Sequence, residues 1–286
     1  SDHVDSFEIQ RPGQEASINI KFCPVEGGGY YGTLAINHGD GHTKHVILKG
    51  CSFAGGTEIL GGQVHGTWSE PNSPYFVAGD IAVPKNGELV IESGVKVIFI
   101  GPYGMTIGEK ARLVAQGNEN HPIEFTALNK GMGWTGLRFI DSGTDDILSH
   151  CSITCARKSA GLIADDDYSA GDEDSCGGAV YCSFSSPTIT NCKITNNIAD
   201  KGGAIYCIES DPVISNTVIA NNASMGGQPR CGGICFDEWG LAEIKNCTIV
   251  NNSPGGIFTT SWDGMDVTNT IVWGNDRYQI QTLEST

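Results

Sequence analysis

The sequence contains no long apolar run and few positive charges. No apolar stretch approaches the roughly 20 residues that a membrane-spanning helix needs, and the first residues lack the charged start and apolar stretch of an export signal. Lys and Arg number 17 against 33 Asp and Glu, which gives a formal net charge of −16. Nucleic acids and anionic membranes require a basic face, so we expect no nucleic-acid partner and no membrane insertion.

Charged side chains and helical patterns are also scarce. Charged residues make up 17% of the 286 residues, and no long window has helical periodicity. The 39 glycines are about twice ordinary usage, while hydrophobic residues at 39% are enough for a packed core. These proportions favour an all-β chain with many tight turns.

The cysteines do not form the pattern of a disulfide framework. Their number, 11, is odd, and most of them lie inside apolar, strand-like runs. This pattern predicts buried thiols. Cys23 and Cys51 flank a separate N-terminal segment and are the candidate pair for a disulfide bridge.

Two motifs recur in the second half of the sequence with one shared rhythm. The first motif is a glycine pair, found as GGAVYC at 177, GGAIYC at 202, GGICFD at 232 and GGIFTT at 255. The second is an asparagine motif, found as NCKITNN at 191, NTVIANN at 216, NCTIVNN at 246 and NTIVWGN at 269. Both motifs repeat after 25, 30 and 23 residues. A period of this size predicts a solenoid, in which each unit buries its apolar face against its neighbours.

The repeated asparagines have a physical reason in such a solenoid. Coils of short β-strands stack about 4.8 Å apart, so an Asn at one corner can hydrogen-bond to the Asn above and below. Asn also tolerates the left-handed backbone that a tight corner needs. We expect asparagine columns at the corners, beside an interior column of small residues that includes Cys151, Cys192 and Cys247.

The repeats resemble a known family. The segments GVKVIF, ARLVAQG, PIEFTA and WTGLRF are similar to the opening coils of right-handed parallel β-helix proteins exported by bacteria, which include pectate lyases. The later GGA(I/V) and NN repeats resemble those of polymorphic outer-membrane proteins. The resemblance covers residues 57–286 and implies an all-β, right-handed parallel β-helix in a bacterial protein that is secreted or displayed at the cell surface.

Residues 1–52 are predicted to form a separate short segment. Alternating apolar runs joined by glycine-rich turns indicate a few antiparallel strands, and FCPVEGGGYYGTLAI resembles the closing strands of immunoglobulin-like modules. The segment is predicted to be part of a β-sandwich or an N-terminal cap of the first coil. The nine residues NHGDGHTKH contain His38, His42 and His45, and three histidines could bind zinc. We favour the alternative, in which this segment is a hairpin that turns at GDG. We expect a monomeric module of a larger multidomain protein.

A column of aromatic and acidic residues is the candidate ligand-binding site. Counting seven residues from each glycine pair selects Phe184, Glu209, Trp239 and Trp262. The acids Asp237, Glu238 and Asp263 lie within two residues of these positions. Pyranose rings stack on flat apolar surfaces, and carboxylates accept strong hydrogen bonds from their hydroxyls. The alternative is that these aromatics pack structurally.

An acidic insertion interrupts the repeat and is the candidate metal site. Removing about 16 residues around IADDDYSAGDEDSC restores the usual period, so this segment is predicted to be a projecting loop. Calcium binds six to eight oxygen atoms and would neutralise the clustered charge. The candidate ligands are Asp165, Asp166, Asp167, Asp172 and Asp174, with Glu173 beside them. A solvated acidic loop without metal is the alternative.

No catalytic residue is assigned from the sequence. Resemblance to pectate lyases would imply a Lys or Arg base near calcium, but only Lys201 and Arg230 lie near the column. The paired-Asp and Gly-His-Gly motifs of polygalacturonases are absent. Carboxylates on neighbouring coils, such as Asp237 or Glu238 with Asp263, would nevertheless have about the 5 Å separation of a retaining glycosidase.

These observations favour binding without catalysis. The chain resembles the β-helical carbohydrate-binding modules attached to plant-cell-wall hydrolases, which implies a polysaccharide partner. Its negative charge favours a neutral chain, with xylan ahead of mannan and β-glucan. Two alternatives are a polysaccharide lyase or glycoside hydrolase and an adhesin-like stalk at the cell surface.

Overall fold

The chain divides into two compact units, Ser1–Gly55 and Gly56–Thr286. The computed structural model describes residues 28–37, 43–52, 55–143, 145–158, 175–226, 231–238, 240–260 and 264–283. Within these ranges, nothing helical has the length and apolarity that a membrane crossing requires.

An antiparallel hairpin is the described part of the first unit. Strands β1 (Gly28–Asn37) and β2 (Thr43–Ser52) pair along their whole length, from Gly28 opposite Ser52 to Asn37 opposite Thr43. The predicted hairpin is therefore confirmed. Cys23 and two of the three histidines lie outside the described residues, so the disulfide and the zinc alternative stay predictions.

The second unit is a solenoid whose coils run in turn through three parallel sheets. Sheet A contains nine strands: β3 (Thr57–Ile59), β6 (Tyr75–Val77), β9 (Lys96–Phe99), β12 (Ile123–Ala127), β15 (Cys151–Thr154), β19 (Lys193–Thr195), β23 (Val218–Ala220), β27 (Thr248–Val250) and β30 (Ile271–Trp273). Sheet B contains nine strands: β4 (Gly62–Gln63), β7 (Ile81–Val83), β10 (Met105–Ile107), β13 (Leu137–Ile140), β17 (Val180–Ser183), β21 (Ile205–Ile208), β25 (Ile234–Asp237), β28 (Gly255–Thr259) and β31 (Tyr278–Thr282).

Sheet C and a short fourth sheet complete the coils. Sheet C contains eight strands: β5 (Gly66–Trp68), β8 (Glu88–Ile91), β11 (Arg112–Gln116), β14 (Ile147–Ser149), β18 (Thr188–Thr190), β22 (Val213–Ser215), β26 (Ala242–Lys245) and β29 (Met265–Thr268). The fourth sheet contains β16 (Arg157–Lys158), β20 (Ile198–Ala199) and β24 (Ala223–Ser224), and a 3₁₀ turn spans Glu70–Asn72. Every described pairing in the solenoid is parallel, so each strand is separated from its partner by one complete coil. The fold is a parallel β-helix.

The core lies inside the solenoid and is built from repeated apolar positions. Along sheet A, Phe125 pairs with Ile153, which pairs with Ile194, and all three side chains are fully buried. Each such side chain stabilises the fold by about 1.5–3 kcal/mol relative to an exposed one. The prediction of buried thiols is confirmed for Cys151, Cys182, Cys192, Cys207, Cys231, Cys235 and Cys247.

The two roles expected of the asparagines fall to different residues. At the corner from sheet C to sheet A, Asn191 and Asn216 have left-handed backbones with φ of 54° and 49° and exposed side chains. The last Asn of each asparagine motif, preceded by Asn in three motifs and by Gly274 in the fourth, is buried instead, and these side-chain amides bond from coil to coil. This ladder consists of Asn197, Asn222, Asn252 and Asn275, each linked to the next by an Nδ2–Oδ1 distance of 3.0 Å.

We expect Asn222→Ala to destabilise the solenoid by about 4 kcal/mol, because the Asn222 side chain takes part in four hydrogen bonds worth about 1 kcal/mol each. Its Nδ2 donates to Asn252 Oδ1 and to the Ile194 carbonyl oxygen, and its Oδ1 accepts from the backbone and side-chain nitrogens of Asn197. Urea unfolding measures the loss. Asn216→Gly is the matched control, since it removes an exposed amide and keeps the left-handed backbone. Equal stability of the two variants would contradict the ladder's role.

Candidate functional site

After four successive strands of sheet B, the chain turns a corner at which the first residue has a left-handed backbone. In successive coils these residues are Asp141, Phe184, Glu209 and Glu238, with φ of 49°, 47°, 46° and 61°. We call this set the sheet B corner. Left-handed residues other than glycine are uncommon, and a parallel solenoid repeats the strain because each coil copies the path of the one before.

The register of sheet B fixes the order of this column. Ser183 pairs with Ile208, and Ile208 pairs with Asp237, so the next residue of each strand follows at the corner. Glu238 is therefore the partner of Glu209. Counting seven residues from the glycine pair predicts Trp239 as the partner of Glu209, and this prediction is wrong by one residue.

The error has a local cause in the turn before the strand. Ile205 is the third residue after Gly202, whereas its strand partner Ile234 is only the second residue after Gly232. The shortened spacing persists in the next coil, where Ile257 is the second residue after Gly255 and pairs with Ile234. Trp239, Trp262 and Asp263 lie outside the described residues, so their part in a site stays a prediction.

Phe184 presents an aromatic surface between acidic neighbours. Phe184 is 55% exposed, so its ring is accessible to a ligand. Asp141 precedes it and Glu209 follows it in the column, each one coil away at about 4.8 Å in the stacking direction. The corner thus combines a flat apolar ring with hydrogen-bond acceptors on both sides.

Asp237 is buried, although the sequence predicts that it lies at the ligand-binding surface. It is 4% exposed, and its Oδ2 accepts a hydrogen bond from the Tyr206 hydroxyl at 2.7 Å. Its Oδ1 accepts hydrogen bonds from Thr260 Oγ1 at 2.6 Å and from the Glu238 backbone nitrogen at 3.2 Å. Three donors offset the loss of hydration of this carboxylate. Asp237 therefore holds the backbone of Glu238 in place from beneath the corner.

Glu238 and Glu209 form a closely spaced pair of carboxyl groups. Desolvation raises the pKa of Glu238, and the negative charges of Asp237 and Glu209 and a hydrogen bond with Glu209 raise it further. A nearby like charge disfavours the ionised form of a carboxyl group, which accounts for this direction of the shift. Glu209 and Glu238 are partly exposed, so a ligand can reach both.

Tyr206 and Thr260 are supporting residues that sequence reasoning missed. Tyr206 belongs to a second buried cluster on the outer face of sheet B, where its ring stacks on Tyr181 with centroids 5.9 Å apart and planes within 3°. The Arg138 guanidinium lies 5.4 Å from the centre of the Tyr181 ring, close enough for a cation–π contact. The one available signal was the tyrosine shared by GGAVYC and GGAIYC at the same distance from the glycine pair.

The proposed calcium loop falls on residues that the structure does not describe. All five candidate aspartates lie between residues 159 and 174. In the described part of the chain, no group of three or more His, Cys, Asp and Glu side chains is arranged to hold a metal ion. Calcium therefore stays a prediction.

Comparison with protein families assigns the fold. Residues 84–275, more than half of the chain, match the family described as right-handed β-helix region, and the chain belongs to this family. The predicted right-handed parallel β-helix is thus confirmed. Membership fits a polysaccharide-related or surface protein. Comparisons with curated proteins and with solved structures found no match.

We expect the raised pKa of Glu238 to make stability depend on pH. The folded state binds the Glu238 proton more tightly than the unfolded state, whose glutamate pKa is near 4.5. The free energy of unfolding should therefore fall as the pH rises from this value through the folded-state pKa. Urea unfolding across this interval should show a smaller decrease in Glu238→Gln than in the wild type. Identical pH profiles would contradict the assignment, and Glu88→Gln, at an exposed glutamate of sheet C, is the control.

Proposed function

We propose that this chain is a non-catalytic carbohydrate-binding module whose sheet B corner binds a neutral plant-cell-wall polysaccharide, with xylan-type chains favoured. The observation that carries the proposal is the exposed Phe184 ring in one column with the partly exposed Glu209 and Glu238. A ring and acceptors repeated at coil spacing suit a polymer that lies along the solenoid axis.

The chemistry of the corner supports a sugar ligand. The C–H face of a pyranose would stack on Phe184, and its hydroxyls would donate to the Glu209 and Glu238 carboxylates. An acidic polymer such as pectin would meet like charges at the corner and on a chain of net charge −16. In the sequence Trp239 follows Glu238 directly, and we propose that Trp239, Trp262 and Asp263 extend the binding surface.

The proposal includes the setting of the module. We propose a bacterial protein that is secreted or displayed at the cell surface, and a monomeric module attached to further domains. These points rest on the resemblance of the coil sequences to exported β-helix proteins. Detection of the intact protein in the medium or on the surface of the producing cell would test them, and retention in the cytosol would contradict them.

We expect Phe184→Ala to weaken binding to soluble xylan by about tenfold, because the variant loses the stacking surface at the centre of the corner. Affinity electrophoresis on gels that contain xylan, β-glucan, mannan or pectin measures this change. Trp273→Ala is the matched control, since Trp273 is an aromatic residue that is 73% exposed on sheet A. Equal retardation of Phe184→Ala and the wild type would overturn the proposed site.

A polysaccharide lyase or glycoside hydrolase is the alternative, favoured by the paired carboxyls of Glu209 and Glu238. A raised pKa suits a general acid, and neighbouring coils place the two groups near the spacing of a retaining glycosidase. Release of reducing sugar or of unsaturated ends, abolished by Glu238→Gln, would establish catalysis and overturn the binding module. An adhesin-like stalk predicts neither binding nor product across the same panel of polymers.

We expect calcium to raise the melting temperature if the acidic loop at 165–174 binds it. An ion that binds the folded state and not the unfolded state stabilises the folded state by an amount that grows with the ion concentration. Thermal unfolding with added calcium and with chelator measures the effect. A triple variant, Asp165→Asn, Asp166→Asn and Asp167→Asn, should lose the response. A melting temperature unchanged by chelator would count against the calcium site.

A further inference from the structure

A groove lies at a different corner of the solenoid, where sheet C turns into sheet A. Its volume is about 690 Å³, which is in the range of small-ligand sites. The groove is bounded by the loop 117–122 of one coil and by the corners of three following coils at His150, Asn191 and Asn216. Four coils at about 4.8 Å spacing give it a length of about 15 Å. We call it the sheet C corner groove.

The wall of the groove is held rigidly. Asn118 Oδ1 accepts hydrogen bonds from the backbone nitrogens of His121 at 3.0 Å and Asn120 at 3.1 Å. Asn118 Nδ2 donates to Ser93 Oγ at 2.7 Å, and the Gly94 nitrogen donates to the His121 carbonyl oxygen at 3.0 Å. The loop is thus tied to itself and to the preceding coil. A preformed wall reduces the entropy that a ligand loses on binding.

The floor of the groove contains polar side chains that make no hydrogen bond or ion pair with the residues that the structure describes. Asn191 and Asn216 have exposed side chains one coil apart, and neither side-chain amide bonds to the described part of the chain. Lys193 points outward from β19, in register with Ser152 and Val218, and has no ion pair among the described residues. Val218 is 39% exposed and adds an apolar contact. The floor therefore combines donors, acceptors and an apolar patch at coil spacing.

Charge and backbone pairing narrow the class of ligand. The groove is lined by Glu119 and by Glu124, which is paired with Lys96 at 3.2 Å. A polyanion would be attracted by the ammonium group of Lys193 and repelled by these two carboxylates. An extended peptide that adds a strand needs a free sheet edge, but β19 is bonded on one side to β15 and on the other to β23. A neutral ligand with many hydroxyls remains, because hydroxyls both donate to and accept from amides.

We propose that the sheet C corner groove is a second binding site for a neutral glycan chain lying along the solenoid axis, with Asn191, Asn216 and Lys193 as its hydrogen-bonding residues. The site is independent of the sheet B corner because the two share no residue and lie at different turns of each coil. It extends the proposed function from one glycan surface to two.

The test is titration calorimetry of the full chain with xylohexaose and with the matching mannan and β-glucan oligosaccharides. The wild type should bind two oligosaccharides per chain. The double variant Asn191→Gly, Asn216→Gly removes both amides and keeps the left-handed backbone, so it should lose one site or bind it about tenfold more weakly. Phe184→Ala should lose the other site and leave the groove unchanged.

The matched control is the double variant Asn246→Gly, Asn269→Gly. These asparagines have the same corner position and the same left-handed backbone, with φ of 54° and 51°, but do not line the groove. The control should bind like the wild type and match the groove variant in stability. A groove variant with two unaltered sites would overturn the groove proposal alone. Binding that depends on the asparagines and not on Phe184 would support the groove and overturn the sheet B corner, and absence of binding to all three oligosaccharides would overturn both.

Discussion

The structure depends on main-chain hydrogen bonding of each coil to the next in an unbroken parallel register. Every strand of the three sheets has its partner one coil away, so no coil buries its apolar residues without its neighbours. The buried asparagine ladder continues this hydrogen bonding through the corners, where the backbone alone would leave polar groups unsatisfied. The ladder ends at Asn275, whose Nδ2 donates to Gln279 Oε1, so the last rung is also satisfied.

The same register places like residues beside each other and so creates the chemistry of the surface. At the sheet B corner it brings Glu209 next to Glu238, and this proximity contributes to the raised pKa of Glu238. Such a pair would be costly in a core, but partial exposure to water moderates the repulsion. The burial of Asp237 under Tyr206 and Thr260 then fixes the backbone from which Glu238 projects.

In the proposed function, recognition falls to corner side chains, because the stacking of the coils uses the backbone groups. The backbone nitrogen of Asn191 already donates to the carbonyl oxygen of Ser215 on the next coil at 3.1 Å, and that of Asn216 donates to the carbonyl oxygen of Lys245 at 3.0 Å. Side chains at left-handed corners project outward, free of the strand pairing. Two corners consequently carry different chemistry: a ring with carboxylates follows sheet B, and amides with an ammonium group follow sheet C. A linear polymer matches both, since each presents its groups in a row along the axis.

The repeat architecture could be predicted from local patterns of residues. Alternating β-branched residues, the shared 25, 30 and 23 spacing and the asparagine motifs are local signals, so the solenoid, its buried thiols and its asparagine corners could be predicted. Phe184 and Glu209 were also placed correctly in one column. That Glu238 stands beside Glu209 became visible only in the stacked coils, because one residue fewer between Gly232 and Ile234 shifts the side chains of this sheet B strand and its corner, and the register is restored by the next sheet C strand. The tertiary structure also decided the burial of Asp237 and the groove beside loop 117–122, because their partners come from other coils and meet only when the coils stack.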